Sequence, residues 1–294
     1  MHAFDYVAAR SVEQAVALLS RPQARAQVLG GGTDLIAQMR EGRRRPDLLV
    51  DIKGIPEVNE LAYDLAAGWL IGAAVPCARV AEDPAARLYP ALADAVSLIG
   101  GVQVQNRATL GGNLCNASPA ADSVPALIVH EAICIVAGPG GRREVPVGAF
   151  CTGPGQTCLQ PGEFLMALRL PPPLPRSGAA YLRFTPRSEM DIAVAGAAAL
   201  VVLADAATIE RARIAVGAVA PTALLAPEAG ESLRGQTITA DALERAAQLA
   251  REAARPITDL RGTGPQRLHL SAVLARRALE RAIDRAGRSL TQKE

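Results

Sequence analysis

Two glycine-rich segments, LGGGTDLI at 29–36 and RATLGGNLCNASPAAD at 107–122, constrain this chain more than any other feature. The first follows a short apolar run ending in Val28 and Leu29 and leads through Thr33 and Asp34 into the apolar-periodic segment DLIAQM. That is the pattern of a strand, a glycine turn and a helix. Backbone N–H groups of such a turn converge at the positive end of the helix and form an anion site, with phosphate as the usual guest. Glycine is required because a side chain would hold the phosphate off the backbone. Taken alone, the segment fits a plain tight turn equally well. The G-x-G-x-x-G spacing is not met, since the third glycine position counted from Gly30 is Leu35, although Asp51 stands near the distance at which an acid binds an adenosine ribose. The second segment carries Gly111 and Gly112, the polar Thr109, Asn113, Asn116 and Ser118, and a closing Asp122. It suits a loop wrapping a pyrophosphate, with the carboxylate accepting from a sugar hydroxyl; the alternative is a structural loop in which Asp122 caps the next helix. Together the two loops are more specific than either, because one diphosphate can be clamped from both sides.

The rest of the chain arranges itself around these loops. Ser11 caps a helix through Leu19, with Gln14 completing a capping box. LLVDI is a buried strand, and a first lobe closes near Pro56. Strands are expected at 59–66 and 69–74, a helical face from Leu88 to Ile99, and a short helix from Asp122 and Ser123 to His130. AICIVAG turns back across GPGG onto a strand near 143–147, and EFLMALRL is the last strand of the second lobe. PPPLPRSG, from Pro171, supports neither sheet nor helix and reads as a linker. Beyond it, strands at 179–186, 193–203 and 209–219 precede Ala/Arg-rich helices from Asp241 to Ala254 and from Leu268 to Ala286, an α+β unit of its own.

Composition removes several function classes. A formal net charge of +2 over 294 residues argues against a nucleic-acid binder. Aromatic residues at 3% leave too few rings for a stacking platform. Cys77, Cys115, Cys134, Cys151 and Cys158 form no C-x-x-C pair, which argues against zinc and fits a reducing compartment. His2, His130 and His269 lack a partnered Ser or Cys, and the run from Arg40 to Arg45 fits a solvated turn or a partner contact. The N-terminus has no signal-peptide pattern, and the longest uncharged apolar run, Ile192 to Ala204, falls short of the ~20 residues of a membrane span. A cytoplasmic protein is expected.

LGGGTDLIAQMR resembles, and TLGGNLCNASPAAD closely matches, the flavin-binding segments of the FAD subunit of molybdenum hydroxylases, the medium subunits of the xanthine dehydrogenase and carbon monoxide dehydrogenase family. PGEFL (161–165), LRLP, TPRSEMDIAVAG (185–196), AVGAVAPTALLA (215–226) and PITDLRG (256–262) follow in the family's order. The resemblance spans nearly the whole chain. It implies an α+β fold: a two-lobed FAD-binding domain of the vanillyl-alcohol-oxidase type (1–56 and 57–175), then a C-terminal three-stranded sheet with helices (176–288). It departs at Gly30, where alanine is common, and at Cys151 and Cys158, where Phe-like and small residues are expected. There is no room for the cysteine-rich insertion of the benzoyl-CoA-type reductases, so the cysteines read as buried small hydrophobes.

Residue by residue, the resemblance implies that Leu29, Gly30, Gly31, Gly32, Thr33 and Asp34, with Thr109, Leu110, Gly111, Gly112 and Asn113, hold the diphosphate of a noncovalent FAD. Asp122 then binds a hydroxyl of the dinucleotide, Ile99 and Leu165 line its rings, and Arg183 contacts it. Arg187, Glu189 and Asp191 approach the isoalloxazine and tune its potential, or form a solvated charged turn. The implied role is electron transfer from iron–sulfur clusters of a small [2Fe-2S] subunit to a terminal acceptor. The molybdenum cofactor sits on a large subunit, in a dimer of heterotrimers, and this chain holds no metal. A self-sufficient FAD-dependent oxidase or reductase, and a cofactor-free assembly subunit, are the competing readings.

Overall fold

The computed structural model describes residues 2–22, 24–188 and 190–291. Strands β1 (Asp5–Ala8), β2 (Ala26–Leu29) and β3 (Leu48–Asp51) form a parallel sheet in the order β1-β3-β2. β3 is central and buried, as LLVD dictates, whereas β1 is half exposed and escaped the sequence reading. Helix α1 (Val12–Leu19) begins at Ser11, whose hydroxyl accepts from Gln14 N at 3.2 Å. The Gln14 side chain reaches back to Arg10 N at 2.7 Å, one residue earlier than the expected capping box. Helix α2 (Leu35–Arg40) follows the first glycine loop and is only six residues long, so its dipole is short.

The second lobe is an antiparallel sheet. Strands β4 (Leu61–Asp64), β5 (Gly68–Gly72), β6 (Ile133–Gly138) and β7 (Gly141–Pro146) join a later strand, β10 (Phe164–Leu170), in the order β4-β5-β10-β6-β7. Between β7 and β10 lies the small hairpin of β8 (Cys151–Gly153) and β9 (Gln156–Thr157). Six short helices pack over it: α3 (Cys77–Glu82), α4 (Pro90–Val96), α5 (Val102–Gln105), α6 (Leu110–Cys115), α7 (Ser123–Val129) and α8 (Val147–Phe150). The helix expected from Leu88 to Ile99 is shorter because Pro90 forces a fresh start after the 3-10 turn at Pro84–Leu88. The second glycine segment is not a continuous loop, since α6 occupies 110–115 with Thr109 as its cap. Trp69 stacks on Tyr89 at 5.4 Å, and His130 meets Tyr89 edge-on at the same distance.

Pro171–Pro175 carries no regular structure and leads into β11 (Ser177–Phe184). β11, β12 (Ala195–Leu203) and β13 (Ile209–Gly217) are the three expected strands, and the two-residue β14 (Leu224–Leu225) extends the sheet at its edge. Helices α9 (Pro227–Glu231), α10 (Ala240–Ala253) and α11 (Gly264–Thr291) complete the chain. Every residue of β12 is buried. Ala198, Leu200 and Val202 face the core of the second lobe, while Ala197, Ala199, Val201 and Leu203 face α10 and α11. The apolar run in this region is therefore a strand covered on both faces. The small stripe Ala275, Ala278, Ala282 and Ala286 lets α11 lie directly on β11, where a Cβ at Gly178 would stand 2.2 Å from Ala282 O.

Candidate dinucleotide site

The two glycine loops meet. A Cβ on Gly31 would stand 2.1 Å from the carbonyl oxygen of Arg107, so the first loop lies against the backbone that leads into the second. Gly30 and Gly112 differ from Gly31. Each would bring its Cβ within 4 Å of one atom alone, the hydroxyl oxygen of Thr109, at 3.7 and 3.1 Å respectively. They flank a shared open space. Thr109 Oγ1 accepts from Gly112 N at 2.8 Å and fixes the second loop. Gly32, at φ +79°, reverses the first. Among the described residues, the N–H groups of Gly31, Gly32, Thr33, Leu110 and Gly111 find no acceptor. Unpaired backbone donors converging at two loop ends are a cradle for an oxyanion. Gly111 has a different task from the one expected of it: its missing Cβ faces Ala73, 2.6 Å from that carbonyl oxygen, so this glycine seats α6 on the end of β5. Leu29 ends β2 and Asp34 precedes α2, where its side chain makes no capping bond and burial raises its carboxyl above the ordinary value.

Asp122 closes the second segment and is buried. Tyr181 OH donates to its Oδ1 at 2.7 Å and Arg183 to its Oδ2 at 2.5 Å. Tyr181 and Arg183 are two apart on β11, hence on one face of the strand, and both come from beyond the linker. Burial pushes the Asp122 carboxyl up, and the Arg183 charge and the Tyr181 hydroxyl offset only part of that push. Each carboxylate oxygen keeps a lone pair for a further donor. Tyr181 went unremarked in the sequence, although one of only four tyrosines at i−2 from Arg183 was a usable signal. Asn113 accepts from Ser123 Oγ at 2.6 Å, and Gln38 on α2 donates to Asn116 at 2.9 Å, tying the two loop regions together.

The remaining expectations divide. Ile99 and Leu165 are both buried in the same apolar cluster as Leu110 and Leu114. Arg187 and Asp191 lie in an exposed turn, where Asp191 caps Ile192 N, accepts from Arg187 and is held below the usual carboxylate range by these bonds. Glu189 lies outside the described residues. Asp51 is not free to bind a ribose, because Tyr6 OH (2.6 Å), Lys53 N (2.9 Å) and Lys53 Nζ (2.7 Å) already occupy its carboxylate. The five cysteines are free and packed into the core, and burial pushes the thiols of Cys77 and Cys115 up to about 12 and that of Cys151 to about 11. Among the described residues, no three His, Cys, Asp or Glu side chains are grouped so as to hold a metal ion.

Comparison with known proteins decides what this cradle belongs to. The family described as the FAD binding domain in molybdopterin dehydrogenase matches residues 2–173. The chain belongs to that family. The CO dehydrogenase flavoprotein C-terminal domain matches residues 180–282. The xanthine dehydrogenase FAD-binding subunit of Escherichia coli O157:H7 is 32% identical over 97% of this chain and 98% of its own length. The carbon monoxide dehydrogenase medium chain of Hydrogenophaga pseudoflava is 35% identical over 95% and 96%. Among solved structures, carbon monoxide dehydrogenase from Hydrogenophaga pseudoflava aligns with a TM-score of 0.92 at 34% identity, covering 96% of this chain and 98% of that one. Quinoline 2-oxidoreductase from Pseudomonas putida 86 aligns at 0.90 and 29%, covering 97% and 98%. The chain is thus an oxidoreductase subunit of the FAD-binding type, and a dinucleotide fits the residues present: open space at Gly30 and Gly112, free backbone donors, and a buried carboxylate with spare acceptor capacity. Among the described residues, no helix is long and apolar enough to cross a membrane.

Proposed function

We propose that this chain is the FAD-carrying electron-transfer subunit of a molybdenum hydroxylase. The observation that carries the reading is the meeting of the two glycine loops beside a buried Asp122. Leu29 to Asp34 and Thr109 to Asn113 would hold the diphosphate through backbone N–H groups, with Gly30 and Gly112 leaving it room. Asp122, held by Tyr181 and Arg183, would accept from a hydroxyl of the dinucleotide; Ile99 and Leu165 would back its rings. Arg187 and Asp191, and Glu189 with them, would set the charge near the flavin. When bound, FAD supplies the redox chemistry, an exchange of electrons between iron–sulfur clusters of a small subunit and a terminal acceptor. A large molybdenum subunit would oxidise the organic substrate, within a dimer of heterotrimers in the cytoplasm, a reducing setting that suits five free cysteines. The division 1–56, 57–175 and 176–288 belongs to the same proposal.

The test is uptake of FAD by the purified chain, read from its visible spectrum and from the supernatant after denaturation. The wild-type chain should turn yellow and release FAD. Gly30→Val should melt like the wild-type apoprotein, because space is open there, yet retain little FAD. A chain that cannot be reconstituted with FAD, or a Gly30→Val variant at full occupancy, overturns the reading. Turnover of a substrate without any partner subunit would point instead to a self-sufficient oxidase.

A further inference from the structure

We propose that Lys53 is a positioning residue for the dinucleotide diphosphate, acting through the carbonyl group of Gly30; this rests on the FAD reading above. Arginine supplies nearly all the positive charge of the chain, and Lys53 is one of only two lysines. Its ammonium donates to Asp51 Oδ1 at 2.7 Å and to Gly30 O at 3.2 Å. The carboxylate that anchors it cannot swing. Asp51 ends the central strand β3, is buried, and also accepts from Tyr6 OH on the neighbouring β1 and from the backbone of Lys53. Sheet, carboxylate and ammonium form a rigid brace that ends on the first residue of the glycine loop.

The brace matters because of peptide geometry. In a planar trans peptide, the carbonyl oxygen of one residue and the N–H of the next lie on opposite edges. Drawing Gly30 O toward Lys53 therefore turns the N–H of Gly31 to the other side, where among the described residues it has no acceptor. A loop with two flanking glycines and a Gly32 at φ +79° has other conformations open to it, and the brace selects the one that presents this donor. A compact ammonium with three donors fits between a carboxylate and a carbonyl better than a planar guanidinium does. Direct attraction of Lys53 for a diphosphate is the weaker explanation, because the adjoining Asp51 charge cancels most of the ammonium's field.

The test compares FAD binding by the wild-type, Lys53→Met and Lys53→Arg full-length apoproteins through quenching of flavin fluorescence, with riboflavin as the probe that lacks phosphate. Losing one charged hydrogen bond should weaken FAD binding about tenfold in Lys53→Met. Lys53→Arg should recover much of it, and riboflavin binding should not change. The loss should persist from about 0.1 to about 0.5 M NaCl, where a Coulombic contribution would be screened away. Unchanged FAD affinity in Lys53→Met, an equal loss for riboflavin, or a loss that vanishes at high salt would each overturn the proposal. Wild-type protein that takes up no FAD overturns the parent reading, and this one with it. If Lys53→Met does not fold, Tyr6→Phe removes a hydroxyl from the same carboxylate without touching the loop, and should weaken FAD binding but not riboflavin binding; no loss there overturns the brace.

Discussion

The glycines of the cradle are not equivalent. The absent side chain of Gly31 lies against Arg107 O, so Gly31→Ala forces two stretches of main chain apart. We expect it to destabilise the apoprotein by about 1–3 kcal/mol, the usual cost of overpacking, and to abolish FAD uptake, as measured by urea unfolding and by spectrum. Gly112 lies inside α6 and would bring its Cβ only to Thr109 Oγ1. There an alanine favours the helix by up to about 1 kcal/mol while filling space meant for the ligand. Gly112→Ala should leave the apoprotein as stable or more so and still weaken FAD binding severalfold. If the two variants lose stability and FAD in the same proportion, the distinction between packing glycines and ligand-facing glycines is wrong. Gly111 belongs to the packing class, although its place beside Gly112 in the sequence offers no hint of the difference.

At the scale of elements, α7 ends on His130, a buried imidazole whose Nε2 has no partner among the described residues. Burial depresses it to about 4, so it is neutral in the fold across the physiological range. Because the unfolded chain takes up a proton near 6.5, stability is fully present above that value and is lost as pH falls toward 4, by ~3 kcal/mol at full extent. His130→Phe, which keeps an aromatic ring against Tyr89, should remove that part of the slope; urea midpoints of the two proteins between pH 7 and 4.5 measure it, and parallel curves would refute it. The sequence reading placed His130 at a helix end, and the long elements were equally legible. The apolar run of β12, the proline linker and the alanine stripe of α11 each carry a pattern longer than a helical turn or a strand. The helices of four to seven residues do not, since a 3.6-residue period cannot be established over so few positions. The contacts of Asp51 were illegible for another reason. Tyr6, Asp51, Lys53 and Gly30 come together only because β1 and β2 flank β3, and strand order is not written in any local pattern.

At the scale of the whole molecule, the cradle is completed across the linker, since Tyr181 and Arg183 reach Asp122 from the C-terminal sheet. What holds that sheet to the FAD lobes is centred on Asp94 of α4. Its carboxylate takes both terminal nitrogens of Arg285 on α11, at 2.7 and 2.9 Å, and the backbone N–H of Tyr181 at 3.1 Å, while Arg285 also donates to Ala179 O at 2.6 Å. One carboxylate thus ties together the first long helical layer, the strand that serves the site and the final helix. Asp94→Ala would leave Arg285 largely buried without its partner. We expect a loss of about 1–3 kcal/mol, below the figure for fully buried pairs because both side chains retain some exposure, and a Tm lower by roughly 2–4 °C for each kcal/mol. FAD should dissociate faster, but by less than in Asp122→Ala, since Tyr181 would be loosened rather than removed. Glu280→Ala, on the exposed face of the same helix and paired with Arg276, is the control, because such a surface pair contributes about 0.5 kcal/mol or less. If Asp94→Ala and Glu280→Ala melt together and release FAD at the same rate, the C-terminal sheet is held in place by its apolar face alone.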